Sequence, residues 1–127
     1  MEKKVIATPN APGAIGPYSQ AVAIDNLVYT SGQLGIDPAT GNLVEGVEAQ
    51  TKQALENVKA ILAEVGLGMD DIIKTLVFIK DMNDFGKVNG VYAQYICGDI
   101  LPARSCVEVA ALPKGGLVEI EVIALRK

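Results

Sequence analysis

The amino-acid sequence predicts an α+β fold, a mixed β-sheet backed by two helices, and three observations carry that expectation. Apolar residues follow a two-residue period in several stretches but recur at three and four between Val47 and Val65. Turn-forming residues punctuate those stretches at Asp25-Asn26, Pro38–Gly41, Gly66 and Pro113–Gly116. The chain has 127 residues, 50% of them hydrophobic and 20% charged, which is enough for one core but not for two. One domain over residues 1–127 is therefore expected.

The elements follow in order. "KKVIATP" opens as a short strand that stops at Pro9, and "NAPGAIGPYSQ" is an irregular loop rich in proline and glycine. "AVAI" and "LVYTSG" read as two strands around an Asp25-Asn26 hairpin turn. "IDPATGN" is a second turn in which Gly41 is free to take positive φ. Val47, Ala54, Leu55, Val58, Ile61, Leu62 and Val65 form the stripe of an amphipathic helix that Gly66 ends. "DIIKTLVFIKD" is apolar at nearly every position, the mark of a strand buried on both faces. "MNDFGKVNGVYAQYI" is a shorter helix, "GDILPA" breaks it, "RSCVEVAAL" is a strand, and "LVEIEVIALR" is the last strand after a "PKGG" turn. The predicted order is β-β-β-α-β-α-β-β. Two helices cover one face of such a sheet, and no remaining segment covers the apolar residues on the other, so self-association is expected.

Composition excludes several function classes. The net charge of −4 disfavours a phosphate backbone as partner, and aromatic residues make up only 5% of the chain. The two cysteines, Cys97 and Cys106, have no metal-ligand or CxxC spacing, and so few cysteines point to a reducing cytoplasm. No basic-then-apolar N-terminal run and no stretch of about 18 apolar residues suggests a leader or a membrane span. Histidine is absent, which removes Ser-His-Asp and Cys-His catalysis and the commonest zinc ligand. Chemistry must then run on carboxylate, arginine, tyrosine, backbone groups and water.

Two strands hold the candidates. In "PARSCVEV" one face carries Arg104, Cys106 and Glu108, and the other Ala103, Ser105, Val107 and Val109. In "VEIEVIAL", Glu119, Glu121 and Ile123 alternate with Val118, Ile120 and Val122, and two carboxylates in a core-like strand need a partner, exposure or a function. If the Pro113–Gly116 turn makes these strands neighbours, Arg104 meets a glutamate as an ordinary cross-strand pair. The alternative is an anion site, with the planar guanidinium fork gripping a carboxylate and a nearby glutamate acting as base on water. Cys106 reads as a small packing residue, since no histidine exists to activate it. Tyr18 in "GPYSQ" sits on a braced loop, and Gly32 in "TSGQ" lets the backbone approach another group closely.

"IGPYSQA", "YTSGQ", "DIIKTLVFIKDMNDF", "VNGVY", "PARSCVEV", "LPKGG" and "VEIEVIAL" together resemble, in order, the signature stretches of the RidA-type reactive-imine deaminases, also called the YjgF family. The likeness runs from about Thr8 to Ala124. It implies a chorismate-mutase-like fold assembled as a homotrimer with sites between subunits. It implies hydrolysis of 2-imino acids such as 2-iminopropanoate and 2-iminobutanoate to 2-keto acids and ammonia. These imines arise from enamines released by pyridoxal-phosphate enzymes, and the family uses no metal and no organic cofactor. Arg104 would grip the substrate carboxylate, backbone groups of Cys106 would meet the imine, and Glu119 would position and deprotonate the water. Tyr18, Ser31, Gly32 and Asn89 match positions lining the same cleft. The sequence departs from the family at Ala111, where many relatives carry a larger, often basic residue, and at Gly115-Gly116. Both departures bear on which side chain the substrate carries. Rival readings are a non-catalytic sensor of small carboxylates, an RNA- or translation-related activity, and a chaperone-like surface.

Overall fold

The computed structural model describes residues 2–126. Seven strands form one mixed sheet: β1 (Lys4–Ile6), β2 (Ala21–Ile24), β3 (Leu27–Thr30), β4 (Gln33–Leu34), β5 (Ile72–Ile79), β6 (Ala103–Glu108) and β7 (Val118–Leu125). The strand order is β1-β2-β3-β7-β5-β6, with β4 continuing the β3 side against β7. Only β5 and β6 run parallel. Helices α1 (Val47–Ala63) and α2 (Phe85–Tyr95) lie together on one face.

The local chemistry explains most boundaries. Ile24 pairs with Leu27 across the predicted hairpin, and Asp25 takes the positive φ of 50° that such a turn needs. Gly66, at φ 77°, follows the last turn of α1. The α1 stripe packs Ala54, Leu55, Val58, Ile61 and Leu62 with no exposure onto Val77, Ile79, Val118, Ile120 and Val122 of the sheet.

Three expectations are corrected. The predicted order lacked β4, a two-residue strand that no periodicity reveals. β5 is not buried on both faces: Thr75, Val77 and Ile79 are buried under the helices, while Leu76 and Phe78 are half-covered on the opposite face. The Pro113–Gly116 turn does not make β6 and β7 neighbours. β5 lies between them, pairing with β6 through Thr75↔Arg104 and with β7 through Thr75↔Val122. Arg104 and the β7 glutamates therefore form no cross-strand pair.

Candidate active site

Partners in register across a sheet share a face, so the pairings place every candidate. Arg104 aligns with Thr75 and Val122, whose side chains face the helices. Glu119 aligns with Phe78, and Glu121 with Leu76, on the opposite face. The two residues expected to carry the chemistry thus stand on opposite faces of one sheet.

On the helix side, α2 builds a ledge for Arg104. Phe85, Asn89 and Tyr92 recur at four and three residues, one stripe of the helix. Arg104 Nη1 donates to Asn89 Oδ1 at 2.7 Å, and its Cζ lies 4.8 Å from the Tyr92 ring centroid and 5.6 Å from that of Phe85. The Tyr92 hydroxyl is fixed by the buried Thr75 hydroxyl at 2.8 Å. One of five guanidinium N–H donors is thereby used and the charge lies within cation–π distance of two rings, with the rest of the fork left for an anion. Pro102, Leu101 and Ile96 complete the hollow in front of it.

Arg104 lies on the sheet's edge strand, which bears on Cys106. Val109 N donates to Ile79 O, and backbone direction alternates along a parallel strand, so the N–H and C=O groups of Arg104, Cys106 and Glu108 point outward from the sheet. The Cys106 thiol is half-buried against the core; burial pushes its pKa up, and the Arg104 charge only partly opposes this. Its backbone is available to a ligand and its sulfur is not primed as a nucleophile.

On the opposite face, Glu119 lies against Gly32. A Cβ at position 32 would stand 2.6 Å from Glu119 Cδ and 2.7 Å from Oε1, so this glycine is what lets the carboxylate approach the backbone so closely. Burial, and secondarily the Glu121 charge, raise the Glu119 pKa above the ordinary carboxylate value. Tyr18, Ser31 and Gly32 line one cleft with Glu119. Two of those hydroxyls are partly engaged: Ser31 Oγ donates to Ser19 O at 2.6 Å, and Tyr18 accepts from Ile15 N at 3.2 Å. Pro113, at the start of the turn before β7, walls the same cleft.

The structure therefore gathers the seven sequence-predicted residues into two groups, Asn89, Arg104 and Cys106 on one side and Tyr18, Ser31, Gly32 and Glu119 on the other. Sequence reasoning missed Phe85 and Tyr92, although their helical spacing from Asn89 is a readable signal. Among the described residues no group of three or more His, Cys, Asp or Glu is placed to hold a metal, and no helix is long and apolar enough to cross a membrane.

Comparison with known proteins adds a second line of observation. Residues 8–126 match the family model described as Endoribonuclease L-PSP. The chain is 55% identical over 126 residues to the 2-iminobutanoate/2-iminopropanoate deaminase of Salmonella typhimurium, covering 98% of both chains. It is 52% identical to the protein of the same name from Escherichia coli K12, again covering 98% of both. Among solved structures, a Rid-family protein of Yersinia pestis superposes with TM-score 0.95 at 55% identity, over 98% of this chain and 99% of that one. Escherichia coli TdcF with bound serine superposes with TM-score 0.93 at 50% identity, over the same shares of the two chains.

Proposed function

The chain belongs to the family described as Endoribonuclease L-PSP, the Rid or YjgF family of its solved relatives, and from that premise we propose that it is an enzyme hydrolysing 2-imino acids, 2-iminopropanoate and 2-iminobutanoate among them, to 2-keto acids and ammonia. The observation that carries the reading is the pair of half-sites: a guanidinium held on an aromatic ledge at an open strand edge, and a carboxylate of raised pKa pressed against Gly32.

The chemistry assigned to each group follows from its surroundings. Arg104 binds the substrate carboxylate by charge-assisted hydrogen bonds. The outward carbonyl and N–H of Cys106 meet the imine nitrogen, and a backbone acceptor there favours the protonated, more electrophilic iminium. Glu119 orients a water and takes its proton as the oxygen adds to the imine carbon. Glu119 passes that proton to the nitrogen of the tetrahedral adduct; as the C–N bond breaks, the adduct's hydroxyl gives its remaining proton back to Glu119, the C=O bond forms, and ammonia leaves and takes up a proton. A raised pKa suits Glu119 to both halves of that transfer. By this reading the step needs no metal or organic cofactor, and it protects pyridoxal-phosphate enzymes from enamine and imine damage.

Because the half-sites face opposite ways, we assign each complete site to two copies of the chain, one supplying Arg104 and Cys106 and the next supplying Glu119, Tyr18, Ser31 and Gly32. A homotrimer provides such heterologous contacts in a closed ring. Tyr29, Leu76, Phe78, Val107 and Ile123 on the helix-free face are the apolar surface that a neighbouring copy would cover. The reading takes residues 1–127 as one domain and places the protein in the cytoplasm, in keeping with its two free cysteines. RNA is a poor alternative substrate, despite the family description, for a chain of net charge −4.

The test is release of keto acid and ammonia from freshly generated 2-iminopropanoate and 2-iminobutanoate, measured against spontaneous hydrolysis, with sedimentation equilibrium on the same sample. Hydrolysis at the buffer rate by a protein that still binds a 2-keto acid in the calorimeter would make it a sensor rather than an enzyme. Sedimentation as a monomer would remove the shared site.

A further inference from the structure

The inward stripe of β5 reads Thr75, Val77 and Ile79, and the one hydroxyl in that apolar row is fully buried. Its neighbours in register, Arg104 on β6 and Val122 on β7, share its face. β5 is paired on both sides, so its backbone groups are engaged in the ladders and a buried hydroxyl there needs a side-chain partner. That partner is the Tyr92 hydroxyl of α2, at 2.8 Å, on a side chain that is only 9% exposed. Tyr92 therefore bridges helix and sheet beside Arg104. Its ring centroid lies 4.8 Å from the guanidinium carbon, and its hydroxyl is tied to the residue that pairs with Arg104. The helix itself is weakly specified: it contains Gly86 and Gly90, and its buried residues are Val88 and Tyr92. Phe85 and Asn89, the other two groups against Arg104, ride on the same helical stripe.

We propose that Thr75 is a positioning residue for the carboxylate grip: through the Tyr92 hydroxyl it locks the stripe of α2 on which the Arg104 guanidinium rests. The inference rests on the deaminase reading, which supplies the carboxylate. Without the Thr75 hydroxyl, Tyr92 would hold a buried hydroxyl with no partner, a state that costs enough to move the ring. The nearest solvent lies in the hollow that Tyr92 lines with Asn89, Pro102 and Arg104. Turning toward it takes the ring from its place beside the guanidinium into the space where the substrate carboxylate belongs. That carboxylate does not react, so the loss falls equally on ground state and transition state. KM then rises together with the Kd of an unreactive 2-keto acid, and kcat stays.

The experiment compares Thr75→Val, which keeps the branched shape and removes the hydroxyl, with Thr75→Ser, which keeps the hydroxyl. Calorimetry gives the Kd of 2-ketobutanoate, turnover of 2-iminobutanoate gives KM and kcat, and Tm is measured alongside. Thr75→Val should weaken binding about tenfold, raise KM by the same factor and leave kcat within about twofold; Thr75→Ser should bind within about twofold of the parent. In a Tyr92→Phe background the hydroxyl that Thr75 anchors is gone, so adding Thr75→Val should change the Kd by less than about twofold. A Thr75→Val protein with a lower Tm but parental Kd would have lost core stability alone and overturns the inference. So do a fall in kcat at unchanged KM, a serine variant as weak as the valine one, and losses at the two positions that simply add. A parent that binds no 2-keto acid overturns the grip and this inference together. A parent that binds the keto acid but accelerates no imine overturns the deaminase reading, while the Kd series still decides the role of Thr75.

Discussion

Mixing two inactive variants tests the division of the site. Within one chain, Arg104 and Glu119 are separated by β5, two ladder steps of about 4.8 Å each, and their side chains leave opposite faces. An imino acid whose reacting atoms span a few ångströms cannot touch both. Arg104→Ala should lose charge-assisted contacts worth on the order of 3 kcal/mol, or about a hundredfold in kcat/KM. Glu119→Gln should lose the base and fall by about a hundredfold in kcat while retaining affinity for an unreactive 2-keto acid. In trimers refolded from an equal mixture, a site is intact when Arg104 comes from one variant and Glu119 from the other, which random assembly gives at about one site in four. The mixture should therefore exceed either variant alone by more than about tenfold, with turnover of 2-iminobutanoate as the assay. No recovery, in a sample that native mass spectrometry shows to contain mixed trimers, would refute the two-copy site.

Gly32→Ala places a methyl where the Glu119 carboxylate lies, without a forbidden backbone conformation, so the flexible carboxylate moves and the fold survives. The expected result is a loss of about a hundredfold in kcat with little change in Tm; unchanged turnover would show that the Glu119 position is not critical. Arg104→Lys should recover little of the Arg104→Ala loss, since an ammonium cannot reproduce a bidentate guanidinium fork lying over aromatic rings; near-parental kcat/KM would contradict the grip. The raised pKa of Glu119 means that its contribution to stability is greatest when it is protonated, below the ordinary carboxylate range, and is lost as pH rises through the raised value. Glu119→Gln should accordingly have the higher Tm at pH 7, and the acid limb of the parent's pH–rate profile should lie above the ordinary glutamate pKa; a parent that melts higher at pH 7 would argue against the desolvated carboxylate. Tyr95 is pushed up to about 12 by burial and by its hydrogen bond to and the charge of Glu56, so Glu56→Gln should lower the last phenolic inflection in a spectrophotometric titration.

Much of this protein is written locally. The period-two alternation of residues 103–109 put Arg104, Cys106 and Glu108 on one face, and that is how β6 presents them. The α1 stripe, the Asp25-Asn26 hairpin and Gly66 as a helix end depend on near neighbours in the chain, and each formed as expected. The resemblance of whole motifs from Thr8 to Ala124 was legible too, because it depends on order and spacing alone. Other features are set by residues distant in sequence. A "PKGG" turn between two strands looks like a hairpin, but β5, α2 and β6 form a parallel crossover unit, which seats β6 beside β5 at the edge. β7 is left to fill the place between β3 and β5, where both neighbours offer it antiparallel hydrogen bonds. Alternation tells which residues share a face within a strand, but not how many strands separate two of them. That is why the sequence by itself determined which residues of a strand share a face and which motifs the chain carries, while only the tertiary structure decided that Arg104 and Glu119 face opposite ways, that Phe85 and Tyr92 stand beside Arg104, and that Gly32 lies under the glutamate.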